Sequence, residues 1–163
     1  MFKKMICTLG ALAFVVSAHN AFADDRASLY LAGEIEVITN LFVNPTIGTT
    51  DTLDILGGET ARVIASVDEE SNNAAGYTIS MESTNGGNLQ HSDGTTNIPY
   101  TISYDGAVTT APGALGAPVV AKTSGTLTGL TTDSSAVTIT FAASASGVAG
   151  AYTDTLILNM VAL

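Results

Sequence analysis

The sequence predicts an all-β protein built as a sandwich of antiparallel sheets. First, apolar and polar residues alternate along many short segments, and no stretch repeats with the 3.6-residue period of a helix. Second, clusters of Gly, Asn, Asp and Pro separate these segments at intervals of roughly 8–12 residues. Third, the roughly seven to nine segments suit a single sandwich domain of this length.

Residues 1–23 are predicted to be an export signal. Lysines at positions 3 and 4 precede an apolar run to about residue 16, and the segment ends in Ala21-Phe22-Ala23. This ending places small residues where a signal peptidase reads. The apolar run is shorter than the roughly 20 residues that a membrane-spanning helix needs. We therefore expect cleavage between Ala23 and Asp24, export across the inner membrane, and no stable membrane insertion.

The cysteine content and the charge limit how the domain is held together and what it binds. The one cysteine, Cys7, lies in the predicted signal, so packing and strand pairing alone would stabilise the exported domain. Without the signal, three basic residues remain against fifteen acidic ones, a net charge of about −12. This balance argues against nucleic acid and anionic membrane surfaces as partners.

The predicted strands follow one another through the rest of the chain. They are 28–38 with a continuation at 41–43, a short strand at 52–56, then 60–67, 76–83, a short return strand from Leu89, 98–104, a short strand near 119–122, 137–141, and a last strand after Gly150. Asn85-Gly86-Gly87 predicts a tight turn. Residues 68–73 are predicted to be a loop, and residues 107–135 a long connection.

The first and the last of these strands each have a regular apolar face. In the first strand that face carries Leu29, Leu31, Ile35 and Val37, and Gly33 interrupts it. In the last strand it carries Tyr152, Leu156, Leu158 and Met160. Such alternation means that one face is buried and the other is wet. Because an exposed sheet edge can pair with another chain, strand donation between identical or related subunits is one hypothesis.

No constellation in the exported part indicates an enzyme, a metal site or a cofactor site. Its one histidine, His91, lies between two turn signals without a Gly-x-Ser-x-Gly elbow, so we favour an exposed loop. Asp68-Glu69-Glu70 offers oxygen ligands for calcium but lacks the spacing of a calcium loop, and a solvated acidic turn is favoured. A carboxylate pair for glycoside chemistry stays open, since only the fold brings such residues together.

The C-terminal segment resembles the last strand of chaperone–usher pilins. The likeness rests on a glycine fourteenth from the end and apolar residues eighth, sixth and fourth from the end, here Gly150, Leu156, Leu158 and Met160. The absence of cysteine and the Ala-Gly-x-Tyr approach are more similar to the alternative, colonisation-factor type of fimbriae. Residues 73–104 also resemble spore-coat-U-like secreted pilins, with a Gly-Tyr strand, a glycine-rich turn and an Ile-Pro-Tyr strand.

The resemblance implies an immunoglobulin-like sandwich that lacks its last strand and has a groove beside the C-terminal strand. In such subunits a periplasmic chaperone fills the groove first, and the N-terminal extension of the next subunit replaces it at an outer-membrane usher. Residues 24–38 match such an extension, and 39–163 would form the pilin domain. The donor strand would carry Leu29, Leu31, Gly33, Ile35 and Val37. The acceptor groove would be lined by Gly150, Tyr152, Leu156, Leu158 and Met160.

The function that the resemblance implies is a structural subunit of a surface fimbria that contributes to adhesion. Three features depart from the pattern. The penultimate residue is Ala162, where many pilins have an aromatic residue, and Asp154 lies on the same face as Leu156. Only five residues precede Leu29 after the expected cleavage, so 29–37 is alternatively the first strand of a self-complete sandwich. The alternative function is a monomeric secreted β-sandwich that binds carbohydrate or a cell surface.

Overall fold

A computed structural model describes residues 29–46, 52–107, 110–144 and 147–163. The predicted signal and its cleavage site at Ala23 and Asp24 lie outside these residues. Within the described ranges every regular element is a β-strand, and antiparallel sheets pack together as a sandwich, which confirms the predicted fold class. The same ranges contain no helix of the length and apolar character needed to cross a membrane.

The described residues form eleven strands. In chain order they are β1 Thr39–Pro45, β2 Glu59–Ser71, β3 Tyr77–Ser83, β4 Asn88–His91, β5 Asn97–Pro99, β6 Thr101–Tyr104, β7 Gly113–Ala114, β8 Val119–Thr123, β9 Thr131–Phe141, β10 Tyr152–Thr153 and β11 Leu156–Ala162. The first large sheet has the order β1-β2-β9-β6. The second has the order β11-β3-β7, with β8 also paired to β3, and β10-β4-β5 form a small third sheet.

Strand β2 organises the first sheet. It pairs antiparallel with β1, from Thr39 opposite Ser71 to Pro45 opposite Ala65, and with β9 along its other side. Its alternate residues form a buried row, namely Ala65, Val67, Glu69 and Ser71. Because cross-strand partners share a face of the sheet, Thr39, Leu41, Val43 and Pro45 of β1 point to this same inner side.

Strand β3 organises the second sheet. It pairs antiparallel with β11, from Leu156 opposite Ser83 to Ala162 opposite Tyr77, and with β8 along its other side. Its buried row consists of Tyr77, Ile79, Met81 and Ser83. By the same register, Leu156, Leu158, Met160 and Ala162 of β11 point inward.

The hydrophobic core lies between the two buried rows. Its members are Ala65, Val67, Tyr77, Ile79, Met81, Leu89, Ile98, Tyr100, Ile102, Tyr104, Val137, Ile139 and Phe141. Each large apolar side chain buried in this way stabilises the fold by about 1.5–3 kcal/mol. The described residues include no cysteine, so this core and the strand ladders hold the domain together.

The N-terminal segment differs from its prediction. The sequence predicts a strand over 28–38, but residues 29–38 belong to no strand, and the first strand begins at Thr39. A strand requires a hydrogen-bonded partner, and no other described strand forms a ladder with these residues. The chain divides into two units, Met1–Glu34 and Ile35–Leu163. In the first unit, all the described side chains, from residue 29 to residue 34, are exposed.

Several predicted elements are confirmed and others are wrong in extent. The predicted strands at 76–83, 119–122 and 137–141 correspond to β3, β8 and the end of β9. Residues 52–56 form no strand, because Asp54 accepts backbone hydrogen bonds from Gly57 and Gly58 and closes a turn. The predicted connection 107–135 contains β7 and β8, and its end is already part of β9.

Three further strand boundaries are corrected by the structure. Of the predicted loop 68–73, residues 68–71 belong to β2, which continues to Ser71, and only residues 72 and 73 lie outside a strand. The predicted strand 98–104 is divided at Tyr100 into β5 and β6, which lie in different sheets. The predicted last strand is likewise interrupted at 154–155, so Gly150 and Tyr152 lie outside the strand that carries Leu156, Leu158 and Met160.

Candidate functional site

The two large sheets each leave one edge strand on the same side of the sandwich. Among the described strands, β1 pairs only with β2, and β11 pairs only with β3. Cα atoms of β1 and β11 approach within 8 Å, yet no ladder joins these two strands. We name the space between their inward rows the β1/β11 cleft. It is lined by Thr39, Leu41, Val43 and Pro45 of β1 and by Leu156, Leu158, Met160 and Ala162 of β11.

The apolar side chains of this cleft are incompletely covered. Val67 of β2 is 0% exposed, whereas Val43, directly opposite on β1, is 46% exposed. Met81 of β3 is 1% exposed, whereas Leu158, directly opposite on β11, is only partly buried. The inward side chains of β2 and β3 are therefore buried, whereas those of the edge strands β1 and β11 remain partly exposed. The cleft combines exposed apolar side chains with two unpaired strand edges, which is the combination that accepts an added strand.

One end of the cleft is polar. There, Leu41 is paired with Glu69 and Ala162 with Tyr77, and the Tyr77 hydroxyl donates to Glu69 Oε2 at 2.6 Å. Thr39 Oγ1 at this polar end is buried without a hydrogen-bond partner among the described residues. Because β1 begins at this end and β11 finishes there, β1 runs away from the polar end and β11 runs toward it.

A buried carboxylate, Glu69, organises the polar end. Its Oε1 accepts hydrogen bonds from Tyr104 at 2.7 Å and Ser135 at 2.6 Å, and its Oε2 lies 2.9 Å from Lys122 Nζ. Burial alone would raise the pKa of Glu69, but the donated hydrogen bonds outweigh this effect and its pKa lies below the usual value. Burial and the bond to Glu69 together raise the pKa of Tyr77 to about 12. The solvated acidic turn predicted from the sequence is therefore wrong for Glu69.

Lys122 connects this buried carboxylate to the surface. Its Nζ also lies 2.7 Å from Asp133 Oδ2 and 3.5 Å from Asp105 Oδ2. Although burial alone would lower the pKa of Lys122, the hydrogen bonds from its ammonium to Asp133 and Glu69 raise it. The ammonium thus stays charged and compensates the buried carboxylate, as a buried charge requires. This arrangement explains how β2 carries a carboxylate into the sandwich interior.

Asp154 lies between β10 and β11, beside the other end of the cleft. Its Oδ1 accepts hydrogen bonds from Thr84 Oγ1 at 2.8 Å and from the backbone of Asn85 at 3.0 Å, and its Oδ2 accepts one from Tyr100 at 2.8 Å. Burial alone would raise its pKa, but these bonds and one from the Thr155 backbone lower it. Asp154, unexpected in a core, therefore fastens the start of β11 to the β3–β4 turn.

His91 is a packed residue of β4, and the predicted exposed loop is wrong. It is 6% exposed, its ring lies 4.8 Å from that of Tyr152, and Nε2 is 3.3 Å from the Ala149 carbonyl. Nδ1 accepts the backbone N–H of Asp93 at 3.1 Å. A Cβ added at Gly150 would overlap this ring. Gly150 is thus required by the approach of the chain to His91 and does not line the cleft.

The apolar side chains predicted for the donor strand are exposed, and the strand residues predicted for the groove belong to two different sheets. Leu29, Leu31, Ile35 and Val37 are 63–86% exposed, and a Cβ added at Gly33 would meet no described atom within 4 Å. Of the predicted groove residues, Leu156, Leu158 and Met160 line the cleft, whereas Tyr152 pairs with His91 in the small sheet. The opposite wall of the cleft is not predicted from the sequence, since Leu41 and Val43 continue the alternation of the predicted first strand.

No group of three or more metal-binding side chains occurs in the described ranges. The sequence matches no protein-family model and no curated protein. Function is therefore inferred from the geometry of the cleft and from the pattern of the N-terminal segment.

Proposed function

We propose that the protein is a structural subunit of a surface fimbria, assembled when the N-terminal segment of one copy fills the β1/β11 cleft of the next. The observation that carries this proposal is the incompletely covered apolar row of β1 and β11 beside two unpaired strand edges. The same chain has a segment, residues 29–37, that alternates apolar and polar residues and belongs to no strand. Acceptor and donor thus occur in one polypeptide.

The strand order supports an immunoglobulin-like sandwich that lacks one strand. An immunoglobulin constant-type domain has strands A-B-E-D in one sheet and C-F-G in the other. Here β1, β2, β9 and β6 have the order A-B-E-D, and β3 and β11 have the places of C and F. In chain order these six strands follow A to F, and no described strand takes the place of G beside β11. The missing strand is the one that would cover the cleft.

The free energy available from filling the cleft is large for a domain of this size. Burying Leu29, Leu31 and Ile35 contributes on the order of 5–9 kcal/mol at about 1.5–3 kcal/mol each. That is comparable with the whole stability of an ordinary domain, about 5–15 kcal/mol. A strand paired on both sides needs about 9.6 Å between β1 and β11. Where these strands approach within 8 Å, β1 has to move outward to admit it.

The direction of the inserted strand decides whether a fibre or a closed dimer forms. The N-terminal segment leaves its own domain at the polar end of the cleft, beside Asn72. A donor antiparallel to β11 enters the neighbour at the Leu156 end, so unlike ends meet and the chain of copies stays open. A donor parallel to β11 brings two polar ends together, which permits reciprocal exchange and closure. Fibre assembly therefore requires the antiparallel direction.

An exposed cleft also accounts for the expected partners. Before assembly, its apolar side chains and free edges would promote aggregation, so a periplasmic chaperone that covers them and an outer-membrane usher that orders their exchange fit the proposal. The fibre would lie on the cell surface. Within the subunit itself, the proposal assigns no catalytic residue and no cofactor.

Native mass measurement of the purified protein, produced with its genomic neighbours, tests this function. We expect a ladder of integer multiples of the subunit mass that survives mild detergent. Strictly monomeric protein in the presence of a chaperone contradicts the proposal and favours the alternative, a monomeric secreted β-sandwich that binds carbohydrate or a cell surface.

A further inference from the structure

Asn72, the residue that follows β2, holds the end of the N-terminal segment on its own domain. Its Oδ1 accepts the backbone N–H of Ile38 at 2.6 Å, and its Nδ2 donates to the carbonyl of Glu36 at 2.8 Å. The backbone N–H of Asn72 also donates to the carbonyl of Ile38 at 3.3 Å. A side-chain amide that uses both its donor and its acceptor on one segment fixes the direction of that segment.

The apolar side chains of the same segment have a site on their own domain. Val37 and Ile38 line a pocket of about 680 Å³ together with Leu127 and Leu130 of the connection before β9. The backbone N–H of Leu127 donates to the carbonyl of Ala74 at 3.1 Å and holds this wall in place. Ile35 lines the same pocket, but exposure falls along the segment, from 86% at Ile35 to 63% at Val37, and Ile38 is partly buried.

The two strands that line the cleft have the same length as the part of the N-terminal segment that precedes Glu36. Strands β1 and β11 have 7 residues each. Residues 29–35 make a segment of the same length, with apolar positions at Leu29, Leu31 and Ile35. A segment that ran to Val37 would exceed both walls by two residues, about 6.6 Å of strand.

From these contacts and lengths, we propose that Asn72 is a positioning residue that divides the N-terminal segment at Glu36. Residues up to Ile35 enter a second copy, while residues 36–38 stay on their own domain. This inference rests on the proposed function and narrows it, because Val37 then belongs to the donating domain and not to the exchanged strand. Consequently, no free linker residues separate the exchanged strand from the domain that donates it.

Cysteine accessibility separates the two sides of this division, because the only native cysteine is Cys7. Leu31→Cys and Val37→Cys are made singly, and maleimide labelling is compared between the assembled protein and the Gly33→Val monomer. We expect assembly to slow the labelling of Leu31→Cys by at least about tenfold and that of Val37→Cys by less than about twofold. Equal protection at both positions overturns the division. Absence of protection at Leu31→Cys contradicts strand exchange itself.

Asn72→Ala tests the role of the side chain, with Asn40→Ala as the matched control. Asn40 also donates an amide hydrogen bond across β1 and β2, to Glu70 at 2.8 Å, but this bond does not involve residues 36–38. In the Asn72→Ala background we expect Val37→Cys to label in two phases, one of them protected, because the register is no longer fixed. The Asn40→Ala background should retain one fast phase. A folded Asn72→Ala protein with unchanged labelling overturns the role of Asn72. If this variant does not fold, the comparison of Leu31→Cys with Val37→Cys decides whether the segment is divided at Glu36.

Discussion

The hydroxyl of Tyr104 donates a hydrogen bond of 2.7 Å to Oε1 of Glu69, a carboxylate that is 1% exposed. This contact joins β6 to β2 beneath the polar end of the β1/β11 cleft. Lys122 neutralises the same carboxylate from β8. With Tyr77 of β3 and Ser135 of β9, one buried ion thus connects five strands, and its loss would affect both large sheets.

Glu69→Gln is expected to destabilise the domain by about 3–5 kcal/mol, because it breaks a buried ion pair and leaves Lys122 only its surface partners Asp133 and Asp105. Tyr104→Phe, which deletes one hydroxyl, should cost about 1–3 kcal/mol. The measurement is the free energy of unfolding from urea titration. Glu70→Gln on the outer face of the same strand is the control, with a change below about 0.5 kcal/mol. Equal effects at positions 69 and 70 would contradict the buried network.

Asp154 should make the stability dependent on acid. Its folded pKa lies below 3.8, its ordinary value, so its contribution is present above the unfolded pKa and is lost as the pH falls through the folded pKa. We expect the urea midpoint to fall between pH 5 and about pH 2.5, and the Asp154→Asn variant to show a smaller fall over that range. A variant whose acid profile matches that of the wild type would argue against this assignment.

Gly150→Ala should destabilise the domain by about 1–3 kcal/mol, because the new methyl group would overlap the His91 ring and force a shift in a packed region. Gly129→Ala is a matched control, since a Cβ there meets no atom within 4 Å. Thermal unfolding of the two variants provides the comparison. Similar melting temperatures for both would show that the His91 contact is loose.

Gly33→Val should abolish assembly and leave the monomer folded. Because a Cβ at this position meets no described atom within 4 Å in the single chain, we expect the variant to keep the wild-type fold. In an exchanged strand, the same side chain would enter the crowded apolar row. Size-exclusion chromatography measures the loss of oligomers, and Ala32→Val, on the opposite face of the segment, should retain them. Oligomers formed equally by both variants would exclude the donor role of 29–35.

The boundary between the N-terminal segment and β1 could not be predicted from the sequence. Apolar residues occupy the odd positions from Leu29 through Val43, except for Gly33 and Thr39. Because this period of two continues unchanged, the pattern does not show where the free segment ends and the wall strand β1 begins. Only the pairing of β1 with β2 and the contacts of Asn72 mark that boundary.

Other features were predictable because they depend on local chemistry. The strand β3 and the turn after it follow from alternation and from Asn85-Gly86-Gly87. The burial of Glu69 was not predictable, since its partners Tyr77, Tyr104 and Lys122 are brought to it only by the fold. The same holds for Asp154, whose carboxylate is held by the β3–β4 turn and by Tyr100.

Hydrogen exchange at the two cleft strands reports directly on whether the cleft accepts a strand. The Gly33→Val chain is mixed with a synthetic peptide of residues 29–37, and the backbone amides of β1 and β11 are followed. We expect amides on the free edges of both strands to exchange more slowly by at least about tenfold, while a scrambled peptide has no effect. Unchanged exchange on β1 and β11 at saturating peptide would contradict strand acceptance, and the proposed fibre would then have no mechanism of assembly.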